Sequence, residues 1–247
     1  MNNEMARTGQ GQSPLGREQS KPGYDEIFYK AQVMKNGAQK LRLTMAGHRL
    51  TVKRAGDLES LWSEMEDGRG NVERIPYWTE VWPSSVVLAE HLDWNRHLLQ
   101  GKLCLEAGCG LGATAMLASR FGARVVALDI EWPALYFALQ SQSLNRVQTV
   151  YWVCMDWQNP AFKKQKFDFI WAGDVLYETG LANSLSCLVD HCLAPEGRVW
   201  IADQERNVSG SAWKELLAQG YKCRELSRRK VHWFAQKAQV KLVELSR

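Results

Sequence analysis

A glycine-rich segment between residues 103 and 112, LCLEAGCGLG, combines backbone freedom with one acidic side chain. Its apolar start is typical of a buried strand, and Gly108, Gly110 and Gly112 come where that strand would end. Glycine lets the backbone approach a ligand closely, and a helix that follows offers its free N–H groups. The segment therefore predicts a binding loop for a nucleotide-like cofactor.

Two acidic residues indicate which cofactor such a loop would take. Asp129 ends the next apolar run, where a carboxylate accepts hydrogen bonds from ribose hydroxyls. Glu106 stands before Gly108, so it would repel the diphosphate of a dinucleotide but attract the ammonium group of S-adenosyl-L-methionine. The alternative for Glu106 is a surface position at a strand end. The pattern favours S-adenosyl-L-methionine, with S-adenosyl-L-homocysteine as its product, over a nicotinamide dinucleotide.

Two later pairs of residues would complete the site, because ligands of open α/β sheets bind beyond the carboxyl ends of the strands. Asp156 and Trp157 follow a third apolar run and are predicted to contact the adenine; the alternative is a turn Asp beside a core Trp. Asp174 and Tyr177 follow a fourth run and are predicted to meet the methyl acceptor. Their alternative is a helix N-cap and a packing residue.

An aromatic segment, PYWTEVWP at residues 76–83, precedes all of these motifs. It would form a lid or wall over the cofactor or, alternatively, pack as a hydrophobic staple against the helix that follows. That helix is predicted over residues 84–99 from its apolar spacing, with Ser84 and Ser85 as N-caps.

The elements that position these residues alternate along the chain, which predicts a mostly parallel sheet with helices on both faces. Strands are predicted at 102–107, 124–129, 149–154, 167–172, 198–203, 221–227 and 239–245, and further helices near 112–121, 132–143, 180–193 and 211–219. The last two strands have no clear crossover helix between them, which favours an antiparallel hairpin at the sheet edge.

We therefore predict an α/β, Rossmann-like fold with a seven-stranded sheet. Residues 39–54 alternate apolar and polar side chains around Ala46-Gly47, which predicts a small N-terminal β-hairpin. Residues 57–70 are predicted as a polar helix or loop. The predicted domains are a disordered tail, an extension that carries the hairpin, and a cofactor-binding domain, at residues 1–23, 24–75 and 76–247 respectively.

Composition sets broader limits on the function. The chain has 247 residues, of which 45% are apolar, and this suits one α/β domain. A net charge of +4 does not indicate a nucleic-acid partner, and the five His and six Cys residues show no metal-ligand spacing. The cysteines form no CxxC pair, which favours a reducing, cytoplasmic setting. We expect neither a transmembrane helix nor a secretory signal.

Four short motifs resemble those of one known family: EAGCGLG, ALD (127–129), DW (156–157) and GDVLY (173–177). They resemble the class I, seven-β-strand protein lysine methyltransferases that use S-adenosylmethionine. The upstream PYWTEVWPSSVVLAEHL is similar to the nicotinamide N-methyltransferase-like branch, which includes the electron-transfer-flavoprotein β-subunit lysine methyltransferases and their bacterial relatives. The resemblance covers roughly residues 70–205 and implies a Rossmann-like class I methyltransferase fold.

The resemblance also implies roles for individual residues. Asp174 and Tyr177 match the DxxY motif that the family uses in substrate binding and catalysis. The resemblance and the pattern of acids and glycines together lead us to expect cofactor contacts at Trp82, Glu106, Gly108, Gly110, Gly112, Asp129, Asp156, Trp157 and Gly173.

A protein lysine is the expected methyl acceptor, and a small-molecule amine or pyridine nitrogen is the alternative. A degenerate fold that serves only as a binding module is disfavoured by the presence of Glu106 and Asp129. The basic stretch from Arg224 to Lys230 is interpreted as a solvated edge hairpin rather than a surface for RNA or an acidic protein. We expect no metal, no membrane partner, and a monomer or weak oligomer.

Overall fold

The computed structural model describes residues 38–56, 76–148, 150–178, 180–206 and 209–247. The strands are β1 (Ala38–Met45), β2 (His48–Ala55), β3 (Leu103–Ala107), β4 (Arg124–Asp129), β5 (Tyr151–Cys154), β6 (Phe167–Gly173), β7 (Leu193–Gln204), β8 (Lys222–Trp233) and β9 (Gln236–Ser246). The helices are α1 (Pro83–Trp94), α2 (Arg96–Leu99), α3 (Ala113–Arg120), α4 (Trp132–Leu144), α5 (Leu181–Cys192) and α6 (Ser209–Ala218).

Seven of these strands form one sheet in the order β5-β4-β3-β6-β7-β9-β8. The neighbours from β5 to β7 pair in parallel, and β9 pairs antiparallel with both β7 and β8. The strand order reverses beside β3, because β4 and β5 lie on one side and β6 and β7 on the other. A crevice at the carboxyl ends of the strands forms at such a reversal. The predicted seven-stranded, mostly parallel sheet is confirmed.

The C-terminal hairpin is longer than its sequence pattern predicts. Strands β8 and β9 are joined through a tight turn at Phe234 and Ala235, and β8 is the outer strand of the sheet. Its basic side chains make ion pairs: Arg224 with Glu244, Arg228 with Glu225 and Glu205, and Arg229 with Glu90. These pairs support the interpretation of the stretch as a charged, solvated edge.

Helices cover both faces of the sheet, as predicted. On one face, α5 and α6 bury apolar side chains against β3, β6, β7 and β9, including Leu185, Leu188 and Leu216. On the other face, α1 and α3 pack on the same strands and on β4, with Leu88 and Leu92 fully buried. Among the described residues, no helix combines the length and apolarity needed to cross a membrane.

The predicted N-caps at the start of α1 are wrong. The N-cap is Trp82, and Pro83 is the first helical residue, so Ser84 and Ser85 lie inside the first turn. Proline is common at the first helical position because its fixed φ suits the helix. The N–H that it lacks would have no partner within the helix at this position. The predicted single helix over 84–99 is also divided at Asn95, where α1 ends and α2 begins.

The predicted N-terminal hairpin is present as β1 and β2, with its turn at Ala46 and Gly47. Its apolar face packs on α3 and α4, where Met45, Leu50 and Val52 are buried. The hairpin is therefore part of the same core as the helices. The predicted tail and the polar helix or loop at 57–70 lie outside the described residues, and the division into domains stays a prediction.

Candidate functional site

A cavity of about 580 Å³ opens at the carboxyl ends of β3, β4, β5 and β6. The residues that line it come from the loops that follow these strands and from the segment before α1. Ten of the eleven site residues predicted from the sequence line this cavity: Trp82, Glu106, Gly108, Gly110, Asp129, Asp156, Trp157, Gly173, Asp174 and Tyr177.

The glycine loop after β3 forms one wall of the cavity. Gly108 has a φ of +66°, and a Cβ atom there would lie 2.8 Å from Cγ1 of Val175 and 3.2 Å from the ring of Trp157. Only glycine therefore allows the chain to turn this close to both side chains. The wall that results is backbone, which a flat ligand can approach within van der Waals distance.

Gly112 departs from the prediction, because it is not among the residues that line the cavity. It is the N-cap of α3 with a φ of +74°, and a Cβ atom there would lie 2.4 Å from the ring of Trp152. A glycine is required at position 112 because the chain packs against β5 there and turns into the helix with a left-handed conformation.

Glu106 points into the site from β3 and is buried. The Thr114 hydroxyl on α3 donates a hydrogen bond to its Oε1, while Oε2 has no hydrogen-bond partner among the described residues. Burial raises the pKa of the Glu106 carboxyl to about 8, and the hydrogen bond from the Thr114 side chain offsets only part of this rise. A buried acceptor without a partner is costly, so Glu106 is poised for a ligand that brings a donor or a positive charge.

Asp129 holds the glycine loop against the end of β4. Its Oδ2 accepts a hydrogen bond of 2.7 Å from the backbone N–H of Gly110, and its Oδ1 accepts one of 3.0 Å from that of Glu131. Burial raises the pKa of Asp129 to about 6, and these two N–H groups oppose the rise. Each carboxylate oxygen can accept more than one hydrogen bond, so Asp129 can still accept from ribose hydroxyls as predicted.

Asp156 and Trp157 follow β5 at the far end of the cavity. The Asp156 side chain is exposed, and its Oδ1 accepts a hydrogen bond of 3.0 Å from the N–H of Gln158. This is the turn geometry that the sequence left open as the alternative. The ring of Trp157 lies against Gly108 and provides an apolar surface beside the loop.

Asp174 follows β6 and is buried at the cavity wall, with a φ of +54°. Its Oδ1 accepts a hydrogen bond of 3.0 Å from the backbone N–H of Gln204, and its Oδ2 accepts one of 2.7 Å from the Gln204 side-chain amide. Helix α5 begins only at Leu181, so the alternative of Asp174 as an N-cap does not hold. Asp174 is instead clamped by the end of β7.

Three aromatic rings form the opposite wall. Tyr77 lies between Trp82 and Tyr177, with ring centroids 6.0 Å and 4.7 Å away, and the Trp82 indole donates a hydrogen bond of 2.8 Å to the Tyr77 carbonyl. The Arg206 guanidinium stacks over Trp82 at 5.1 Å. The segment before α1 is therefore a wall of the cavity. Trp78 is also buried, but it stacks on Phe137 of α4, so this contact is not the predicted staple against α1.

The carboxyl groups that line the cavity have no basic counterpart among the described lining residues. No Lys, Arg or His occurs among the described residues that line it. The acidic ones are Glu80, Glu106, Asp129, Glu131, Asp156, Asp174 and Glu178. Glu80 pairs with Arg54 at 2.5 Å, whereas Glu178 lies exposed at the surface. Such a lining opposes a diphosphate and attracts cations.

Sequence reasoning missed the side chains that hold the acids in place. Thr114 supports Glu106 from α3, and Gln204 supports Asp174 from β7. Neither carries a local signal, because each contact joins residues that only the tertiary fold brings together. Glu131 and Glu178 were also missed, although each is close in sequence to a predicted site residue.

The comparisons with known proteins agree with this geometry. Residues 105–201 match a family model described as a methyltransferase domain. The chain is 31% identical over 152 residues to the histone-arginine methyltransferase METTL23 of Homo sapiens, covering 58% of this chain and 79% of that protein. The chain belongs to the class I S-adenosylmethionine-dependent methyltransferases.

Another relative in this family is the electron transfer flavoprotein beta subunit lysine methyltransferase of Rattus norvegicus. It is 33% identical over 147 residues, which cover 58% of this chain and 57% of that protein. The human protein of the same name is 33% identical over 133 residues, covering 53% of this chain and 50% of that protein. The chain thus spans little more than half the length of these relatives. The predicted bacterial relationship stays a prediction.

The fold is shared with solved methyltransferases. The T. Thermophilus 16S rRNA N2 G1207 methyltransferase, solved with AdoMet and guanosine, gives a TM-score of 0.56 at 16% identity, covering 84% of this chain and 50% of that one. The magnesium protoporphyrin IX methyltransferase from Synechocystis, solved with bound SAM, gives a TM-score of 0.53 at 15% identity, covering 76% and 96%. At these identities the likeness is one of fold.

S-adenosylmethionine is the cofactor of this family, and the residues of the cavity fit it. The unpartnered, buried Oε2 of Glu106 suits the ammonium of its methionyl end. Gly108 packs against Val175 and Trp157, where a Cβ atom would clash, and it lines the cavity beside the Trp157 ring. A lining without basic side chains among the described residues suits a cofactor that has no phosphate.

Proposed function

We propose that this protein is an S-adenosylmethionine-dependent protein methyltransferase whose acceptor is a lysine side chain. The observation that carries the proposal is the juxtaposition of Asp174 and Tyr177 with the glycine loop in one acidic cavity. Relatives named as lysine and arginine methyltransferases of proteins support the protein acceptor.

The acidic lining favours a cationic acceptor over a neutral one. Carboxylates that surround a cleft raise the local concentration of a positively charged group and speed its encounter. Glu178 is exposed and directly follows Tyr177, so it meets an approaching lysine first. Asp174 lies deeper and is the carboxylate that the lysine reaches next.

A lysine amine must lose its proton before it can accept a methyl group. Its ordinary pKa is about 10.4, so it arrives as the ammonium form. Entry into the cavity beside the packed rings of Tyr77 and Tyr177 removes water from the ammonium and lowers its pKa. The proton passes to water at the mouth of the cavity.

Asp174 then orients the neutral amine. A carboxylate fixed at both oxygens accepts a hydrogen bond from the amine N–H and directs the nitrogen lone pair along one line. When bound, S-adenosylmethionine supplies a methyl group on a positively charged sulfur. Glu106 would hold the cofactor's ammonium group and Asp129 its ribose, while Tyr77 and Tyr177 exclude water from the path of the amine.

The test is labelling of a cell lysate with the purified protein and tritiated-methyl S-adenosylmethionine. A labelled gel band, with mass spectrometry that locates the methyl group on lysine, is the expected result. Label on arginine would transfer the proposal to the other acceptor named among the relatives. Label confined to the small-molecule fraction would contradict a protein acceptor.

The matched variant is Asp174→Asn, which keeps the size of the side chain. It should bind S-adenosylhomocysteine with wild-type affinity by calorimetry and lose at least 90% of the label, on the order of a tenfold loss for one charge-assisted contact. Glu196→Gln is the control, because Glu196 is exposed at the opposite end of the sheet, near the start of β7. Unchanged labelling by Asp174→Asn would overturn the role of Asp174.

A further inference from the structure

We propose that Gln204 is a positioning residue that presents the Asp174 carboxylate, still negatively charged, to the cationic acceptor. The inference rests on the proposed function, because it takes Asp174 as the group that meets the acceptor. Gln204 is the last residue of β7 and is 9% exposed, and it is not among the residues that line the cavity. It therefore acts through Asp174 and not on the substrate.

The contact between the two residues is a clamp with two separate donors. The backbone N–H of Gln204 reaches Oδ1 at 3.0 Å, and the side-chain amide reaches Oδ2 at 2.7 Å. A carboxylate held at one oxygen can still rotate about its Cβ–Cγ bond, whereas one held at both cannot. Asp174 thus has one orientation before any substrate arrives, which is the condition for aligned transfer.

The backbone of Asp174 is fixed by the same strand. Its N–H donates a hydrogen bond of 2.9 Å to the carbonyl of Ala202, two residues before Gln204. Its φ of +54° lies in the left-handed region, which Asp adopts more readily than most residues with a Cβ atom, and the hydrogen bond to Ala202 holds the backbone there. Strand β7 therefore fixes both the main chain and the side chain of Asp174.

A glutamine at position 204 leaves the negative charge of the Asp174 carboxylate in place. An amide and a backbone N–H satisfy the carboxylate without neutralising it, whereas Lys or Arg at the same place would form an ion pair. Among the described residues, Asp174 makes no ion pair. Lys241, on the neighbouring β9, is engaged elsewhere, with its ammonium 4.2 Å from the centre of the Trp213 ring.

Two variants separate presentation of a charge from support of the fold. Gln204→Met removes the side-chain donor and keeps the length of the side chain. Gln204→Lys keeps a donor but cancels the charge of Asp174. If Gln204 only supports the fold, Gln204→Lys should restore the affinity for a lysine probe that Gln204→Met loses. If Gln204 presents the charge of Asp174, both variants should bind the probe weakly.

The readout is the affinity of the protein, saturated with S-adenosylhomocysteine, for N-α-acetyl-lysine-N-methylamide, measured by ligand-observed NMR. Both variants should bind this lysine probe about tenfold more weakly, as expected for loss of one charge-assisted hydrogen bond. Their affinity for S-adenosylhomocysteine, measured by calorimetry, should stay within about twofold of wild type. Gln219→Met is the matched control, because the Gln219 amide donates to Asn183 at an exposed position.

The double variant Asp174→Asn/Gln204→Met should bind the probe as Asp174→Asn does, since Gln204 acts only through that carboxylate. If the losses of probe affinity in the two single variants multiply in the double variant, the inference is overturned. Wild-type probe affinity in Gln204→Met or in Gln204→Lys would also overturn it. If Gln204→Met fails to fold, Gln204→Asn gives the same test, because its amide is too short to reach Oδ2. Failure of the wild type to bind S-adenosylhomocysteine would overturn the proposed function as well. Cofactor binding without probe binding would overturn this inference and the lysine acceptor together.

Discussion

The backbone of Gly112 packs against the indole ring of Trp152, so close that a Cβ atom at Gly112 would clash with its Cη2 and Cζ3 atoms. The two residues join the start of α3 to the sheet at β5. The third glycine of the loop thus serves the packing of the fold, while the first two border the cavity.

We predict that Gly112→Ala destabilises the protein by about 2–4 kcal/mol, from strain at a positive φ and from overpacking against Trp152. Chemical denaturation measures this loss. Gly210→Ala on α6 is the control, because a Cβ atom there has no neighbour within 4 Å, and it should be neutral or slightly stabilising. Equal stability of the two variants would contradict the packing role of Gly112.

Glu106 should make stability fall as pH rises. Its folded-state pKa of about 8 lies above its ordinary value of 4.5, so the folded protein holds a proton that the unfolded chain releases. The free energy of unfolding therefore decreases between these two values. Asp129 and Asp203 contribute in the same direction only up to about 6. Glu106→Gln should accordingly flatten the slope between pH 6 and pH 8, as followed by urea denaturation.

Ligand binding should reverse the protonation of Glu106. An ammonium group favours the ionised carboxylate, so S-adenosylhomocysteine binding at pH 7 should release a proton in the wild type. Calorimetry in buffers of different ionisation enthalpy detects this release. In Glu106→Gln the release should disappear and the affinity should fall about tenfold. An unchanged proton count in that variant would exclude Glu106 as the source.

Tyr177 should act through its ring and not through its hydroxyl. Burial raises the pKa of the phenol further above its usual value, so the phenolate is absent at neutral pH and cannot serve as a base. Tyr177→Phe should keep at least half of the methyl incorporation, and Tyr177→Ala should lose about tenfold, because it removes the ring that packs on Tyr77 at 4.7 Å. Loss of activity in Tyr177→Phe would assign a role to the hydroxyl.

Asn145 should be the main attachment of the N-terminal hairpin. Its side chain accepts a hydrogen bond from the Thr51 N–H at 2.8 Å and donates to the Thr51 carbonyl at 2.7 Å. We expect Asn145→Ala to lower the free energy of unfolding by about 2–4 kcal/mol. Hydrogen exchange should show lost protection in residues 48–55. The control Ser143→Ala, at an exposed position on α4, should change neither the free energy of unfolding nor this protection. Full protection in Asn145→Ala would show that the apolar contacts and the remaining hydrogen bonds, such as the one from the Lys53 N–H to the Ser141 hydroxyl, hold the hairpin without Asn145.

Much of the site was predictable because it follows the ends of strands. The sequence places Glu106, Asp129 and Asp174 directly at or after apolar runs, and parallel strands bring their carboxyl ends to one edge of the sheet. Local spacing by itself is a weaker guide to the ends of helices. Ser84 and Ser85 have the right side chains for N-caps, but the adjoining Pro83 sets the start of the helix.

The sequence by itself determined the class of fold, the edge of the sheet that carries the site and the kind of cofactor, because periodicity and strand ends are local properties of the chain. Only the tertiary structure decided that Gly112 packs on Trp152, that Thr114 holds Glu106 and that Gln204 clamps Asp174. Each of these contacts joins side chains from different elements. Their distance depends on how helices and strands pack, and the spacing of residues along the chain does not encode it.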